Sequence, residues 1–305
     1  RADALGLRAT LPAVASALDG GAGSLLAAAG AVLAAGQPSE RTSAGTRPAP
    51  VFGTLRGGLT RLVDALVAAA GLRVRLGMPV RGLARTIGGW RVELGDANHP
   101  EHLDADAVLL AVPAPALRRL LADPLPTASA AARRVEVASS AVVGLALPRG
   151  AGQCLPERSG VLVAATEALS VKAFTFSGRK WAHASSPEVV LVRASLGRHG
   201  ESRVLRREDA ELIELARADL AALTGITAAP VDTVVARWGG GLPQYAPGHL
   251  DAVAALENAV ATMPGLAVAG AMLHGVGVPA CIATAEAAAR RIVAHLSAPA
   301  RAVGR

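Results

Sequence analysis

The chain has 305 residues, 51% hydrophobic and 18% charged, a balance that supplies a full core and excludes an intrinsically disordered polypeptide. Aromatic residues make up only 2%, so Ala, Leu and Val must fill that core. The net charge of +7 rests almost wholly on arginine, but no Lys/Arg run exceeds two residues and no aromatic stacking platform accompanies it. That excludes nucleic acid and leaves an acidic ligand, or peripheral contact with an anionic membrane surface. Cys154 and Cys281 lack CxxC or metal spacing and read as reduced thiols of a cytoplasmic protein. The opening Arg1-Ala-Asp-Ala lacks the basic and apolar regions of a secretory signal. Neither apolar stretch reads as a membrane span: Leu25–Ala35 is too short, and Leu266–Ala289 is broken by glycines, Pro279 and Glu286.

In chain order, residues 1–36 read as helices and turns, with Ser24 placed to cap an Ala/Leu helix over Leu25–Ala35. Gln37–Pro50, rich in Ser, Thr, Pro and Arg, reads as an exposed, mobile loop. After Gly57-Gly58, the residues Leu59, Leu62, Val63, Leu66 and Val67 form one apolar helical face up to Ala70, and Gly71 ends the helix. Arg73–Val80 reads as a short strand and turn. Trp90–Leu94 alternates as a half-exposed strand, and Asp104–Pro113 reads as one buried strand closed by proline. Ala114–Leu125 is a short helix and a Pro-rich turn. Four apolar runs follow, Val135–Leu147, Gly160–Ala165, Val171–Phe176 and Val189–Leu196, and predict an antiparallel sheet with one covered face. Glu208–Leu223 is an amphipathic helix stopped by Gly225, Val231–Trp238 a strand, and Ala246–Met263 a loop and helix.

Two stretches stand apart. Arg237-Trp-Gly-Gly-Gly-Leu-Pro-Gln-Tyr-Ala-Pro-Gly-His249 puts a tryptophan and the only tyrosine around three consecutive glycines. Backbone there can approach a flat partner closely, although a tight turn with Trp238 as core filler is the plainer reading. Pro264–Leu296 opens on a run, Leu266–Gly270, of the length of a buried parallel strand. It turns through Gly270, Gly275 and Gly277 into an Ala-rich helix with Pro279 in its first turn and Arg290, Arg291 and His295 at its end. A strand that turns through glycines into a helix offers free N–H groups and a positive dipole end to an electron-rich ligand. No metal-ligand spacing occurs among the seven histidines, and no GxSxG, P-loop or EF-hand pattern appears. No residue is put forward as a catalytic acid or base, and no metal is expected.

Spacing alone makes Pro264–Leu296 one βα unit of an α/β protein. Its sequence AVAGAMLHGVGVPACIATAEAAA goes further, because it resembles the C-terminal FAD motif of flavin-dependent amine-oxidase-like enzymes. The nearest resemblance is to the oxygen-dependent protoporphyrinogen/coproporphyrinogen III oxidases of haem biosynthesis. RWGGGLPQY, Lys172–His183 and Leu196–Glu201 carry the same resemblance, which is nearly continuous over residues 1–297. It implies a Rossmann-like FAD-binding domain lacking its N-terminal part, plus an α+β substrate domain with an antiparallel sheet. The expected division is 1–50 (helical, substrate- or membrane-facing, with the loop), 51–130 (FAD-binding), 131–245 (substrate-binding), 246–297 (C-terminal FAD-binding) and 298–305 (tail).

By the same resemblance, Gly270, Val276, Gly277 and Val278 contact FAD at its flavin end, Val80 meets the adenine through its backbone, and Trp238 lies against the flavin region. The implied partners are a porphyrinogen and O2, with hydride passing to flavin N5 and H2O2 as by-product; flavin enzymes delegate the hard step to the cofactor. The chain departs from the family pattern at Leu273-His274, in place of a Tyr-acid pair, at Ala280, in place of an acid, and at Thr284-Ala285, in place of a Ser-Gly pair. The Ala285 methyl is expected to crowd the backbone or cofactor. The strand-GxGxxG fingerprint for the ADP pyrophosphate is missing, so the sequence reads as N-terminally truncated and as a poor binder of FAD by itself. The rival readings are a non-catalytic remnant or a porphyrin-binding subunit without flavin, and a related flavin amine oxidase, which RWGGGLPQY and KWAH disfavour.

Overall fold

The computed structural model describes residues 2–35, 53–96, 98–184 and 186–298. The expected loop Gln37–Pro50 and the end of the tail lie outside these. The first helices are α1 (Leu7–Thr10), α2 (Pro12–Asp19) and α3 (Leu25–Ala35). As the sequence suggests, Ser24 Oγ caps α3 by accepting the Ala27 N–H at 3.1 Å. Helix α4 (Thr60–Ala70) ends where Gly71 takes a left-handed φ of 59°. Its apolar stripe, Leu59, Val63 and Leu66, faces outward.

Strands β1 (Val80–Arg85), β2 (Trp90–Gly95) and β3 (Pro100–Ala105) form an antiparallel meander. The segment before Val80 is not a strand. The run expected as one strand over Asp104–Pro113 is divided. Asp104 and Ala105 belong to β3, where Asp104 is held by Arg91 at 2.8 Å. Beyond Asp106, β4 (Val108–Leu110) joins a different sheet, pairing in parallel with β10 (Leu266–Val268). The Asp104 carboxylate stays in solvent while Leu110 is buried, and the two segments pair with different sheets. Helix α5 (Ala114–Leu120) is followed by α6 (Pro126–Arg133), a helix that the Pro-rich reading omitted. Pro126 occupies its first turn, where a missing N–H is harmless.

All four apolar runs are strands: β5 (Glu136–Pro148), β6 (Gly160–Leu162), β7 (Val171–Phe176) and β8 (Val189–Leu196). The last strand of their sheet is β9 (Asp232–Gln244), and the order is β6-β7-β8-β5-β9, antiparallel throughout. Strand β9 runs on past Trp238. Gly240, at φ +59°, sits in a bulge and donates its N–H to Ser139 Oγ at 2.9 Å. The glycine run is thus a bulged strand rather than a turn. After α7 (Ser177–Lys180), α8 (Asp209–Thr224) covers one face of this sheet. It is fixed by a Glu208/Glu211 capping box and stopped by Gly225 at φ 75°. Leu212, Ala216 and Leu220 meet Val143, Leu145, Phe174, Phe176, Val192 and Leu196 in one core.

A second core joins the meander, α5, α6 and α9 (His249–Ala261) to the parallel pair, with Trp90, Leu117, Leu121, Leu256 and Leu266 fully buried. The last helix, α10 (Val278–Ser297), packs on β10. Its Arg291 was expected to serve its own C-terminus, but it reaches elsewhere. Nε donates to Leu266 O at 2.9 Å, and Nη2 donates to the carbonyls of Val260, Ala261 and Met263 at 3.0, 3.1 and 3.1 Å. One guanidinium therefore caps α9 and holds the start of β10, using the planar fork that lysine lacks. No helix among the described residues is long and apolar enough to cross a membrane.

Replacing Arg291 should leave several half-buried carbonyls without a donor. Arg291→Met is expected to cost about 2–4 kcal/mol, with Arg291→Lys between it and the parent. Thermal unfolding gives the size of the loss. Amide exchange should accelerate first at the end of α9 and in β10; uniform acceleration would argue against a local staple.

Candidate cofactor site

Strand β10 delivers the chain to a turn that cannot be held by its own side chains. At Gly270 φ is +121°, and its N–H is donated to Thr284 Oγ1 at 3.0 Å, one turn and a half into α10. The Thr284 hydroxyl in turn donates to Cys281 O at 2.8 Å. Further along, Gly275 has φ +153°, and a Cβ there would lie 2.6 Å from Ala280 Cβ. Gly277 differs: its φ is −74°, and a Cβ would meet nothing nearer than Pro279 Cδ at 3.8 Å. It is the N-cap of α10, which has no side-chain cap. Val276 and Val278 on either side are 53% and 47% exposed.

Two rings grip the turn from behind. Tyr245, just past the end of β9, donates its hydroxyl proton to Ala271 O at 2.6 Å. His249, in the first turn of α9, lies 3.0 Å through Nε2 from Leu273 O. A carbonyl can only accept, so the proton is on Nε2. The rings stack with centroids 3.9 Å apart and planes at 16°. His249 is buried, and its Nδ1 lone pair has no donor among the described residues. Burial holds this imidazole below its ordinary pKa, opposed by the bond to Leu273. Beside it, His274 pairs with Glu257 at 2.8 Å.

The expected flavin-end residues Gly270, Val276, Gly277 and Val278 thus share one turn. Val80 opens β1, half-buried, and its carbonyl accepts Arg119 Nη2 at 3.3 Å. Trp238 projects from β9, upstream of Tyr245, and is 61% exposed. Packing within the chain demands a glycine at Gly275, not at Gly277, where the space is open. Ala285 is exposed and crowds nothing in the chain. Sequence reasoning missed Thr284, Tyr245 and His249 as supports of the turn. A signal existed in the single tyrosine four residues before a histidine.

An open glycine edge, an uncapped helix N-terminus and two exposed valines suit the edge of a planar, electron-rich ring. These residues fit the flavin end of FAD. Among the described residues no second glycine-rich strand-to-helix turn offers a pyrophosphate cradle, and no metal-binding cluster is present.

A glycine-bearing βα turn joined to an antiparallel sheet is the fold of a flavin-dependent oxidoreductase, and sequence comparison agrees. Residues 2–293 match the model of the flavin-containing amine oxidoreductases, and the chain belongs to that family; FAD is its cofactor. The coproporphyrinogen III oxidase of Mycobacterium tuberculosis (strain H37Rv) is 42% identical over 296 residues, covering 96% of this chain and 60% of that protein. The coproporphyrinogen III oxidase of Bacillus subtilis (strain 168) is 31% identical over 247 residues, covering 80% of this chain and 52% of that protein. A solved structure from Exiguobacterium sp. 255-15, provisionally designated a protoporphyrinogen oxidase, superimposes with a TM-score of 0.77 at 28% identity, covering 98% of this chain and 61% of that one. The chain therefore spans about 60% of the length of the mycobacterial relative.

Gly275→Ala should destabilise the fold by about 2–3 kcal/mol through strain and overlap with Ala280. Gly277→Ala should leave the melting temperature nearly unchanged while weakening flavin retention in the chain complemented with a pyrophosphate-binding segment, as followed by bound-flavin absorbance. Equal flavin occupancy in Gly277→Ala would mean that the cofactor does not approach that edge. His249 adds a pH signature. Its folded pKa lies below the unfolded value of about 6.5, so its stability contribution is whole above that pH and is lost as pH falls through the folded value. His249→Gln should flatten that acid limb in denaturant titrations.

Proposed function

We propose that this chain carries the substrate sheet and the flavin-side turn of an FAD- and O2-dependent porphyrinogen oxidase. The observation that carries this reading is the far face of the five-stranded sheet. The face opposite α8 is uncovered by the described residues and largely apolar. Leu162, Val234 and Trp238 are 87%, 65% and 61% exposed, and Val142, Leu191 and Ala236 lie on the same side by strand register. All interior backbone groups of such a sheet are engaged in its ladder, so the face offers side chains alone. A broad, mostly apolar tetrapyrrole macrocycle suits it. The same strand that presents Trp238 continues to Tyr245, which holds the turn assigned to the flavin.

Bound flavin supplies the hydride acceptor, and O2 the final oxidant, leaving as H2O2. The chain's own tasks are then to seat the macrocycle, exclude water and fix the turn, so the lack of an acid/base set is consistent with the chemistry. Identity is 42% to the mycobacterial and 31% to the Bacillus subtilis coproporphyrinogen III oxidase, against 30% to the protoporphyrinogen oxidase of Bos taurus; the mycobacterial match supports coproporphyrinogen as substrate. The pyrophosphate end of FAD requires several charge-assisted contacts. Residues 1–305 contain no GxGxxG, so this chain by itself should bind FAD weakly.

The test supplies that part. Expressed alone, the chain should show little flavin absorbance and slow porphyrin formation. Co-expressed with the part of the mycobacterial relative that this chain does not span, it should retain FAD and convert coproporphyrinogen III to fluorescent porphyrin with O2 uptake. Retained flavin without oxidation of any porphyrinogen would overturn the proposal. Porphyrin binding without flavin would favour a non-catalytic binding subunit. In the flavin-loaded form, Trp238→Ala should slow turnover at least about tenfold yet lower stability by less than about 1 kcal/mol, because the side chain is mostly exposed. The opposite order would return Trp238 to the core.

A further inference from the structure

The far sheet face mixes apolar side chains with Ser140, Thr175 and Ser195 and with Asp232 at its edge, and carries one cation, Arg193, at its centre. Its neighbours on β8, Val192 and Ala194, are buried beneath α8, so alternation puts Arg193 on the open side. Across the ladder it pairs with Gly144 on β5 and Thr175 on β7. Gly144 contributes no side chain, and a Cβ there would lie 2.8 Å from Val234 Cγ1. Arg193 is thus flanked on one side by Gly144, over which the Val234 side chain lies, and on the other by Thr175. The sheet strands carry two further cations, both engaged. Lys172, at a bulge in β7, donates Nζ to Gly197 O at 2.6 Å, and Arg237 is bound to Asp209 and to the carbonyls of Leu205 and Arg207. The Arg193 guanidinium has no hydrogen-bond or ion-pair partner among the described residues.

We infer that Arg193 binds a carboxylate side chain of the tetrapyrrole that lies on this face, and so selects an acidic macrocycle over an uncharged one. The inference rests on the porphyrinogen reading above and adds a specificity residue to it. A macrocycle spread over Val142, Leu191, Val234 and Trp238 would exclude water around the guanidinium. Its fork could then pair with a carboxylate through two parallel bonds, which gain strength in such a setting. The proposed contact positions substrate and takes no part in bond breaking.

Because Arg193 is exposed, Arg193→Gln should fold as the parent does, which circular dichroism and thermal melting check. The probes are coproporphyrin III and its tetramethyl ester, the latter in dilute detergent, titrated into the chain and followed by porphyrin fluorescence anisotropy. The parent should bind the acid more tightly than the ester. Arg193→Gln should lose about tenfold or more in affinity for the acid and stay within about twofold for the ester. Arg193→Lys should recover part of the loss. Added salt should weaken acid binding more in the parent than in Arg193→Gln. Unchanged acid affinity in Arg193→Gln, with both porphyrins still bound, would overturn this inference and leave the porphyrinogen reading intact. Failure of the parent to bind either porphyrin would bring down both.

Discussion

The turn between β10 and α10 is held by hydrogen bonds to its backbone from outside. Thr284 Oγ1 accepts the Gly270 N–H, Tyr245 Oη donates to Ala271 O and His249 Nε2 donates to Leu273 O. Much else in the molecule serves to place those three groups. Helix α10 must pack on β10 for Thr284 to arrive one and a half turns in, and Arg291 secures that packing by tying β10 to the end of α9. Strand β9 must keep its register through the Gly240 bulge for Tyr245 to reach the turn. Helix α9 must start where it does for His249 to stack on Tyr245. Gly6 adds a fourth link, donating its N–H to Tyr245 O at 2.6 Å.

That arrangement makes the two cores mechanically dependent. The five-stranded sheet has its own helix, its own buried face and antiparallel pairing interrupted only by bulges. The other core has a single parallel pair of three-residue strands, β4 and β10, far below what an isolated sheet needs. Its order comes from side packing on the meander, α5, α6 and α9. The residues from Tyr245 to His249 are the covalent route between the two and also a hydrogen-bonded brace.

Legibility in the sequence followed the range of the interactions. The Leu266–Gly270 strand, the turn and the helix entered through Pro279 were readable because each is set by neighbours in sequence: apolar run, glycine, proline. The four β runs and the α8 boundaries were readable for the same reason. Misreadings arose where distant pairing decided. Asp104–Pro113 looks like one strand, yet Arg91 draws its first part into the meander while Leu266 draws its second into the parallel pair. The Gly239–Gly241 run looks like a turn, yet Ser139 on a neighbouring strand makes it a bulge. Gly275 and Gly277 are alike in composition. Only the position of Ala280 in space shows which one the chain itself requires, and which leaves room for something else. Arg291 looked like a helix-end cation because its four acceptors lie far back in sequence.

The contrast between those two glycines bears on how such a site is maintained. A glycine fixed by its own backbone angle and by a neighbouring Cβ is a condition of folding, and its replacement is felt before any ligand arrives. A glycine with ordinary φ and open space beyond it is unconstrained by the chain, so a requirement for it can come only from a bound partner. Gly277 is of the second kind, beside an uncapped helix end and between two valines that would otherwise be exposed to water without evident gain. Arg193 presents the same asymmetry in charge: a cation central to the open sheet face, while its counterparts on the sheet are neutralised or hydrogen-bonded within the chain. Steric room at Gly277 and unanswered charge at Arg193 are complementary features, one suited to the edge of a flat ring and the other to an acidic substituent. They are joined through β9 and the Tyr245–His249 stack, so the chain itself connects the open sheet face to the glycine turn.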